Sequence, residues 1–539
     1  MARRSVTPPE EADVIIVGAG TAGCALAARL SEDPRLRVCL VEAGPADGGF
    51  WTKIPIGFSR SFRDPRVNWC YETVPQAELG GRTVYWPRGR VIGGSSAING
   101  MIHIRGYPAD YDGWGLPGWT WDAVRPYFRR SEGQICGLPD VYGGDGPYAI
   151  AAMPVRNRAT EAFIRAAEAI GIPRVSSFNA VSDDGVGHYE INTRGGWRCD
   201  AATAYLDPAA GRANLALVAD AQVTTLDFAG DRAASITLRW RGATRAIRAR
   251  AGIVLAAGAV GTPLLLQRAG IGPAAVLRRA GVAVRLDRPG VGANLQDHFG
   301  VRFIARLRRP MTINDDFRRP WRLLRHAVRY ALTRDGQLAI GGAEAGLFWR
   351  SASGLDRPDV QFHFLPLSNE RGGWRFHPFS GVTANVCALR PESRGSVAIT
   401  GPDPAAAPAI DPRYLEAEPD RRAIVAGLRL ARRIFAAAPM GALVEGEHWP
   451  GAAASDDDAL LAHLRRHGST VFHPVGTCAM GLGAADPLTP GLALRGVDGL
   501  FVADASAMPR LVSGNTNAAT LMLAERAADL LRARFAGTG

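Results

Sequence analysis

Between Asp13 and Glu42 the chain carries a complete nucleotide-binding pattern, and that pattern commits this part of the molecule to a parallel α/β sheet. Asp13-Val14-Ile15-Ile16-Val17 reads as a short buried strand. It runs into Gly18-Ala19-Gly20-Thr21-Ala22-Gly23 and then a helical stretch to about Leu30, and a second strand, Arg37 to Val41, ends on Glu42. Gly18 permits the tight strand-to-helix turn, Gly20 lets a pyrophosphate approach the backbone, and Gly23 lets helix and strand pack closely. The unpaired N–H groups at the helix start suit the phosphates. Glu42, 19 residues past Gly23, stands where an acid takes the ribose hydroxyls of an adenosine. A glycine-rich turn alone can be only a turn; here strand, helix, second strand and acid all fall into place. The pattern does not separate FAD from NAD.

A chain of 539 residues is too long for one core, so two closely packed domains are expected. Apolar content of 47% and charged content of 21% describe an ordinary soluble protein. No segment approaches the roughly 18 consecutive apolar residues of a membrane span. The first ten residues lack the apolar core of a signal peptide and read as a disordered lead-in to a cytoplasmic protein. Seven cysteines, odd in number and never in a CxxC pair, give no zinc or disulfide framework and fit a reducing compartment.

The net charge of +12 raises the question of nucleic acid. Lys53 is the only lysine, and the arginines are dispersed instead of massed in one tract, so no nucleic-acid partner is expected. One segment keeps charge in play. Phe317 to Arg334 interleaves six arginines with Trp321, Leu323, Leu324, Val328, Tyr330 and Leu332. It reads as a surface helix with a solvated arginine face. The sharper alternative is a peripheral contact with anionic lipid, useful if electrons go to a membrane quinone.

The rest of the chain is organised without repeats or low-complexity linkers. Phe50 to Tyr71 is aromatic and irregular, in the manner of a lid. Residues 214–258 are β-rich, and Ile253-Val254-Leu255 opens through small residues into a helix containing Leu264-Leu265-Leu266. From about 306 to 455 the alternation in Val360-Gln361-Phe362-His363-Phe364 and in Gly381 to Leu389 predicts an antiparallel sheet with one face covered, followed by a helix over Asp420–Ala438. The tail returns to strand (Leu500-Phe501-Val502), loop and helix (Ala518 to about Phe535). A cofactor domain interrupted by a sheet-based substrate domain is the simplest arrangement.

Two short stretches hold candidate chemistry. Asn515-Thr516-Asn517 leads directly into the tail helix, where capping alone accounts for an asparagine; the helix's positive end would also suit the negative charge of a reduced flavin. His473, before Pro474, sits in extended or turn geometry that frees its imidazole to enter a cleft.

Larger motifs then become recognisable. Trp86 to Gly106, with Gly93-Gly94-Ser95-Ser96-Ala97-Ile98-Asn99-Gly100, closely resembles the first signature of the glucose–methanol–choline (GMC) oxidoreductases, and Gly258 to Gln267 with Gly270 to Pro273 resembles the second. Asn294 to His298, Leu389 to Ser396, His473 to Met480 and Val502 to Thr520 also match, in order along nearly the whole chain, and the likeness is nearest to the choline-dehydrogenase-like bacterial branch.

That resemblance implies a Rossmann-like FAD-binding domain (1–155, 193–305 and 456–539) with an inserted α+β substrate domain built on an antiparallel sheet (156–192 and 306–455). Carried over by position, Gly18, Gly20, Thr21, Ala22, Glu42 and Ala43 would hold the ADP half of FAD, with the Val223 backbone at the adenine. Val91, Gly94, Ser95, Asn99, Gly100, Met101 and Ile102 would line the flavin and pyrophosphate, and Asp504, Ala505, Asn517 and Ala518 would close over the flavin. Some members attach FAD through a histidine one residue before the motif's asparagine; Ile98 stands there, implying non-covalent binding.

His473 becomes the implied general base and Asn517 its partner, orienting an alcohol whose hydride leaves for flavin N5. The expected activity is oxidation of a primary alcohol to an aldehyde, with a quinone or dye as electron acceptor. An oxidase giving hydrogen peroxide and a non-redox hydroxynitrile-type lyase are the alternatives. No metal is expected. His103, His298, His363 and His377 are taken as structural. Glu344 is a candidate contact for a substrate cation such as choline, while Phe50, Trp51, Phe58, Phe348, Phe364 and Trp374 speak for an apolar or aromatic alcohol.

Overall fold

The computed structural model describes residues 5–180, 183–370 and 375–536. Two seven-stranded sheets organise it. The first runs Leu215–Val218, Val38–Val41, Glu11–Val17, Ala243–Leu255, Arg232–Trp240, Ala221–Ala229, with Leu500–Val502 also paired to Ala243–Leu255. Its centre is parallel and its far edge, from Arg248 outward, is an antiparallel meander. Both central strands are buried along almost their whole length, as expected of parallel strands covered on two faces. Helices Thr21–Leu30 and Thr516–Ala536 pack against each other here, bringing the two ends of the chain into one core.

The second sheet is wholly antiparallel, ordered Val444–Trp449, Phe299–Leu307, Gly381–Ala388, Val360–Leu365, Ala345–Trp349, Gly185–His188, with Ser469–Thr470 added to Phe299–Leu307. Strand Phe299–Leu307 crosses the expected boundary at 305/306, so this sheet begins earlier in the chain, and Ser469–Thr470 joins it from beyond 455. Val301, Phe303, Val360, Phe362, Phe364, Ala384 and Val386 pack under helix Glu418–Ala436 through Ile424, Leu428 and Phe435.

Two expectations need correction. The inner strands of the second sheet are covered on both faces: their polar residues, His363 and Asn385 among them, face a cavity and not bulk solvent, while the edge strand Val444–Trp449 stays exposed. The lead-in is ordered from residue 5, where Ser5 Oγ accepts from Ala219 N–H (2.9 Å) and Val6 N–H donates to the Leu217 carbonyl (2.8 Å); its first four residues lie outside the described ones. Among the described residues all seven cysteines are free, and no helix is long and apolar enough to cross a membrane.

Candidate active site

One cavity of about 1650 Å³ runs from the glycine-rich turn to the inner face of the second sheet. That exceeds the ~300–1,000 Å³ of an ordinary small-molecule pocket and leaves room for a dinucleotide and a second reactant. Gly18, Gly20, Thr21, Ala22, Glu42, Ala43, Gly94, Ser95, Asn99, Gly100, Met101, Ile102, Val223, Asp504, Ala505 and Asn517 all line it. Val91 and Ala518 do not. Val91 is turned into a small cluster with Val67, Ala97 and Ile98, and Ala518 into the core of the first sheet.

The glycines behave as their separate tasks require. A Cβ on Gly18 (φ 102°) would stand 2.6 Å from the Ala256 carbonyl oxygen, and one on Gly23 only 1.8 Å from that of Gly18. At Gly20 the nearest atoms would be 4.0 Å away, so its missing side chain leaves open space over the backbone. That is the cradle a pyrophosphate needs. Glu42 is buried, and its carboxylate accepts from Ala19 N–H (2.8 Å) and Gly44 N–H (2.9 Å) while burial pushes its pKa up to about 7. Among the described residues seven arginines line the cavity against three acids, Glu42, Glu72 and Asp504, a balance that suits an anionic cofactor. Asp504 is saturated within the chain, accepting from Ser506 N–H and Oγ and from Gly258 N–H and Thr262 Oγ1.

At the other end His473 is buried and held from three directions. Phe472 before it adopts φ 70°, a left-handed conformation costly for an aromatic residue. Thr470 Oγ1 accepts its N–H (2.7 Å) and Arg88 Nη2 donates to its carbonyl (2.7 Å). The His473 N–H donates to Asp297 Oδ1 (2.7 Å), and Asp297 is fixed in turn by Thr470 and Tyr414. The motif Asn294 to His298 is thus the shelf on which His473 rests.

His298, taken from sequence as structural, orders the imidazole. Its Nε2 lies 2.9 Å from the Leu389 carbonyl, an acceptor, so Nε2 carries the proton and Nδ1 keeps a lone pair. His473 Nδ1 lies 2.9 Å from that Nδ1 and must supply the hydrogen between them. The unprotonated nitrogen of His473 is therefore Nε2. Burial lowers His298 to about 4, and burial, then His298, His363 and Arg88, hold His473 well below the ordinary 6.5. Both rings are neutral near neutral pH.

The partner of that lone pair is Asn515, not Asn517. Asn515 Nδ2 stands 3.0 Å from His473 Nε2, and its Oδ1 is buried without a partner. Asn517, two residues on, is the second residue of helix Thr516–Ala536; its Oδ1 accepts from Thr21 Oγ1 (3.0 Å) and its Nδ2 donates to Tyr148 OH (2.9 Å). It ties the tail helix to the first helix of the nucleotide pattern. The Asn-Thr-Asn spelling offered two asparagines, and the helix start that separates their directions is the signal that could have chosen between them.

The wall opposite is the polar row Arg302, Asn385 and His363, cross-strand neighbours on the second sheet. His363 faces the Asn515 side chain, whose interaction with the imidazole works against the lowering effect of burial, although neither ring nitrogen reaches full hydrogen-bond geometry; from sequence it was taken as structural. Glu344 is absent from this wall. It is buried beneath the strands, accepting from Thr160 Oγ1 (2.5 Å), with its pKa raised to about 7 by burial. Phe348 and Phe364 are core residues, and Phe50 and Trp51 are surface residues; of the aromatics named from sequence only Phe58 lines the cavity, beside Phe62, Phe317, Phe376 and Phe472. Trp374 lies outside the described residues. Among those described, no cluster of His, Cys, Asp or Glu has the arrangement of a metal site.

Comparison with known proteins agrees with this layout. Two sequence models described as GMC oxidoreductase match residues 12–300 and 391–524. The chain is 37% identical to the alcohol dehydrogenase (acceptor) of Pseudomonas putida over 96% of its own length and 95% of that protein's. It is 38% identical to the oxygen-dependent choline dehydrogenase of Photobacterium profundum over 96% and 92%. The crystal structure of pyridoxine 4-oxidase from Mesorbium loti superposes with a TM-score of 0.87 at 32% identity, covering 96% of this chain and 99% of that one. With the cradle, the ordered imidazole and the full-length similarity in place, the chain belongs to the GMC oxidoreductases, a family of FAD-dependent enzymes.

Proposed function

We propose that this protein oxidises a primary alcohol to the aldehyde, with His473 Nε2 as general base and Asn515 Nδ2 holding the alcohol oxygen. The observation that carries the reading is the tautomer chain from Leu389 through His298, which leaves an unprotonated Nε2 beside an amide donor in the cavity that holds the nucleotide cradle. Bound FAD supplies the acceptor for the two-electron oxidation. The hydroxyl proton passes to Nε2, and Asn515 stabilises the negative charge left on oxygen. The buried setting strengthens both interactions by excluding water.

The cofactor is held non-covalently, since Ile98, which lines the cavity where some relatives carry the attaching histidine, offers no nucleophile. The first sheet and its helices form the cofactor domain, and the second sheet forms the substrate domain. The favoured substrate is not a cation: among the described residues seven arginines line the cavity against three acids, and Glu344 is held by Thr160 outside it. Electrons leave to a quinone-like acceptor, with oxygen as the alternative. The lyase alternative finds no support in the relatives, which are named as dehydrogenases and an oxidase.

Anaerobic mixing with a panel of alcohols tests the reading. Neutral primary alcohols should bleach the oxidised flavin, faster than choline does, and slow recovery in air without peroxide marks a dehydrogenase. An FAD-loaded protein that no alcohol bleaches would sink the proposal.

The pH profile gives a second check. A histidine whose pKa is lowered is neutral, and active as a base, at every pH above that lowered value. kcat/KM should therefore stay level on descending through 6.5 and fall only at more acid pH. An acid limb centred at or above 6.5 contradicts the assigned environment of His473.

A further inference from the structure

Helix Pro320–Thr333 breaks the usual rule for surface helices. It buries only Tyr330. Trp321 is 60% exposed, Leu324 64%, Val328 48% and Leu332 80%, and their spacing of three and four residues sets them in one stripe on the outward side. The stripe therefore points away from the protein, whereas the sequence reading had only the arginine face in solvent. Arg325 and Arg329 flank it, and Arg318 and Arg319 stand exposed at its start; no acid interrupts residues 317 to 334. The small cluster of Ile54, Tyr330 and Ala339 joins this helix to the segment that displays Phe50 (57% exposed) and Trp51. Leu323 and Phe317 of the same region line the cavity.

We infer that this face docks on an anionic phospholipid bilayer, with Trp321, Leu324, Val328 and Leu332 entering the interface and the arginines meeting headgroups. The chemistry favours lipid over a second copy of the chain. Self-association would set one arginine rim against another, because the nearby acids are already engaged: Asp316 with Arg322 and His326, and Asp335 with Arg329. A negatively charged surface receives both features at once. Docking in this orientation would lay the cavity's edge at Phe317 and Leu323 beside the bilayer, where apolar alcohols and lipid-soluble electron acceptors concentrate.

The test is sedimentation of the purified holoenzyme with vesicles of phosphatidylcholine alone or mixed with phosphatidylglycerol. Binding should require phosphatidylglycerol and weaken in high salt. Leu324→Glu combined with Leu332→Glu should lower the partition coefficient by at least about tenfold, and Arg325→Glu should lower it severalfold, roughly as loss of one headgroup contact demands. Both variants should keep their flavin spectrum and their reduction by a water-soluble alcohol. Because Arg325→Glu leaves the apolar stripe intact, it remains informative if the double variant misfolds. Failure to sediment, equal binding to neutral vesicles, or binding indifferent to both variants would overturn the inference. So would a dimer in light scattering that the double variant dissociates without any vesicle binding in the parent protein.

Discussion

Replacing His473 with alanine should leave a protein that still carries FAD and whose flavin is reduced by alcohol about 10²–10⁴-fold more slowly. FAD should stay because the nucleotide cradle is built from Gly18, Gly20, Glu42 and their neighbours at the other end of the cavity. The loss should be large because Nε2 of His473 is the one basic atom that the hydrogen-bond chain from Leu389 delivers unprotonated beside Asn515. Stopped-flow reduction under anaerobic conditions measures it directly, and a rate within about tenfold of the parent, less than ~1.4 kcal/mol of barrier, would remove His473 from the chemistry.

The second expectation separates two neighbouring asparagines. Asn515→Ala should slow flavin reduction by about 10²–10³-fold, the usual loss when one donor to a developing oxyanion is removed. Asn517→Ala should alter the reduction rate by less than about tenfold. Its cost should appear in stability instead, roughly 1–3 kcal/mol, because Thr21 and the buried Tyr148 hydroxyl lose their partner. Thermal unfolding and anaerobic reduction of both variants give four numbers, and the reverse pattern would restore Asn517 to the catalytic position.

The confusion between those residues shows what the sequence could and could not convey. The nucleotide pattern was legible because each element is local: strand, turn, helix and acid lie within about thirty residues, and their spacing is set by helix and strand geometry. His473 was legible as a position but not as a tautomer. That depends on His298, 175 positions away, whose partner Leu389 belongs to yet another segment. Glu344 misled because it sits in the bend just before strand Ala345–Trp349, and only its backbone bonds with Tyr189 and Phe364 fix the side on which it meets Thr160. His363 and Asn385 misled in the opposite sense: polar alternation along a strand reports a wet face, and a ligand cavity counts as wet.

The hydrogen bond between Thr21 and Asn517 joins positions 496 apart, and it has a consequence for how the enzyme is made. A growing chain exposes its phosphate turn early, while Asn517 of the tail helix that packs behind that turn emerges 496 residues after Thr21. Loop closure over such a span is entropically costly and slow. The early half must wait as an unfinished, partly apolar surface of the kind chaperones attend to. Gly20 and Thr21 line the same cavity as Asn517, so FAD bound there would reward only molecules in which the two segments have met. Limiting FAD during synthesis should therefore lower the yield of folded enzyme, measurable as soluble protein recovered with and without added riboflavin.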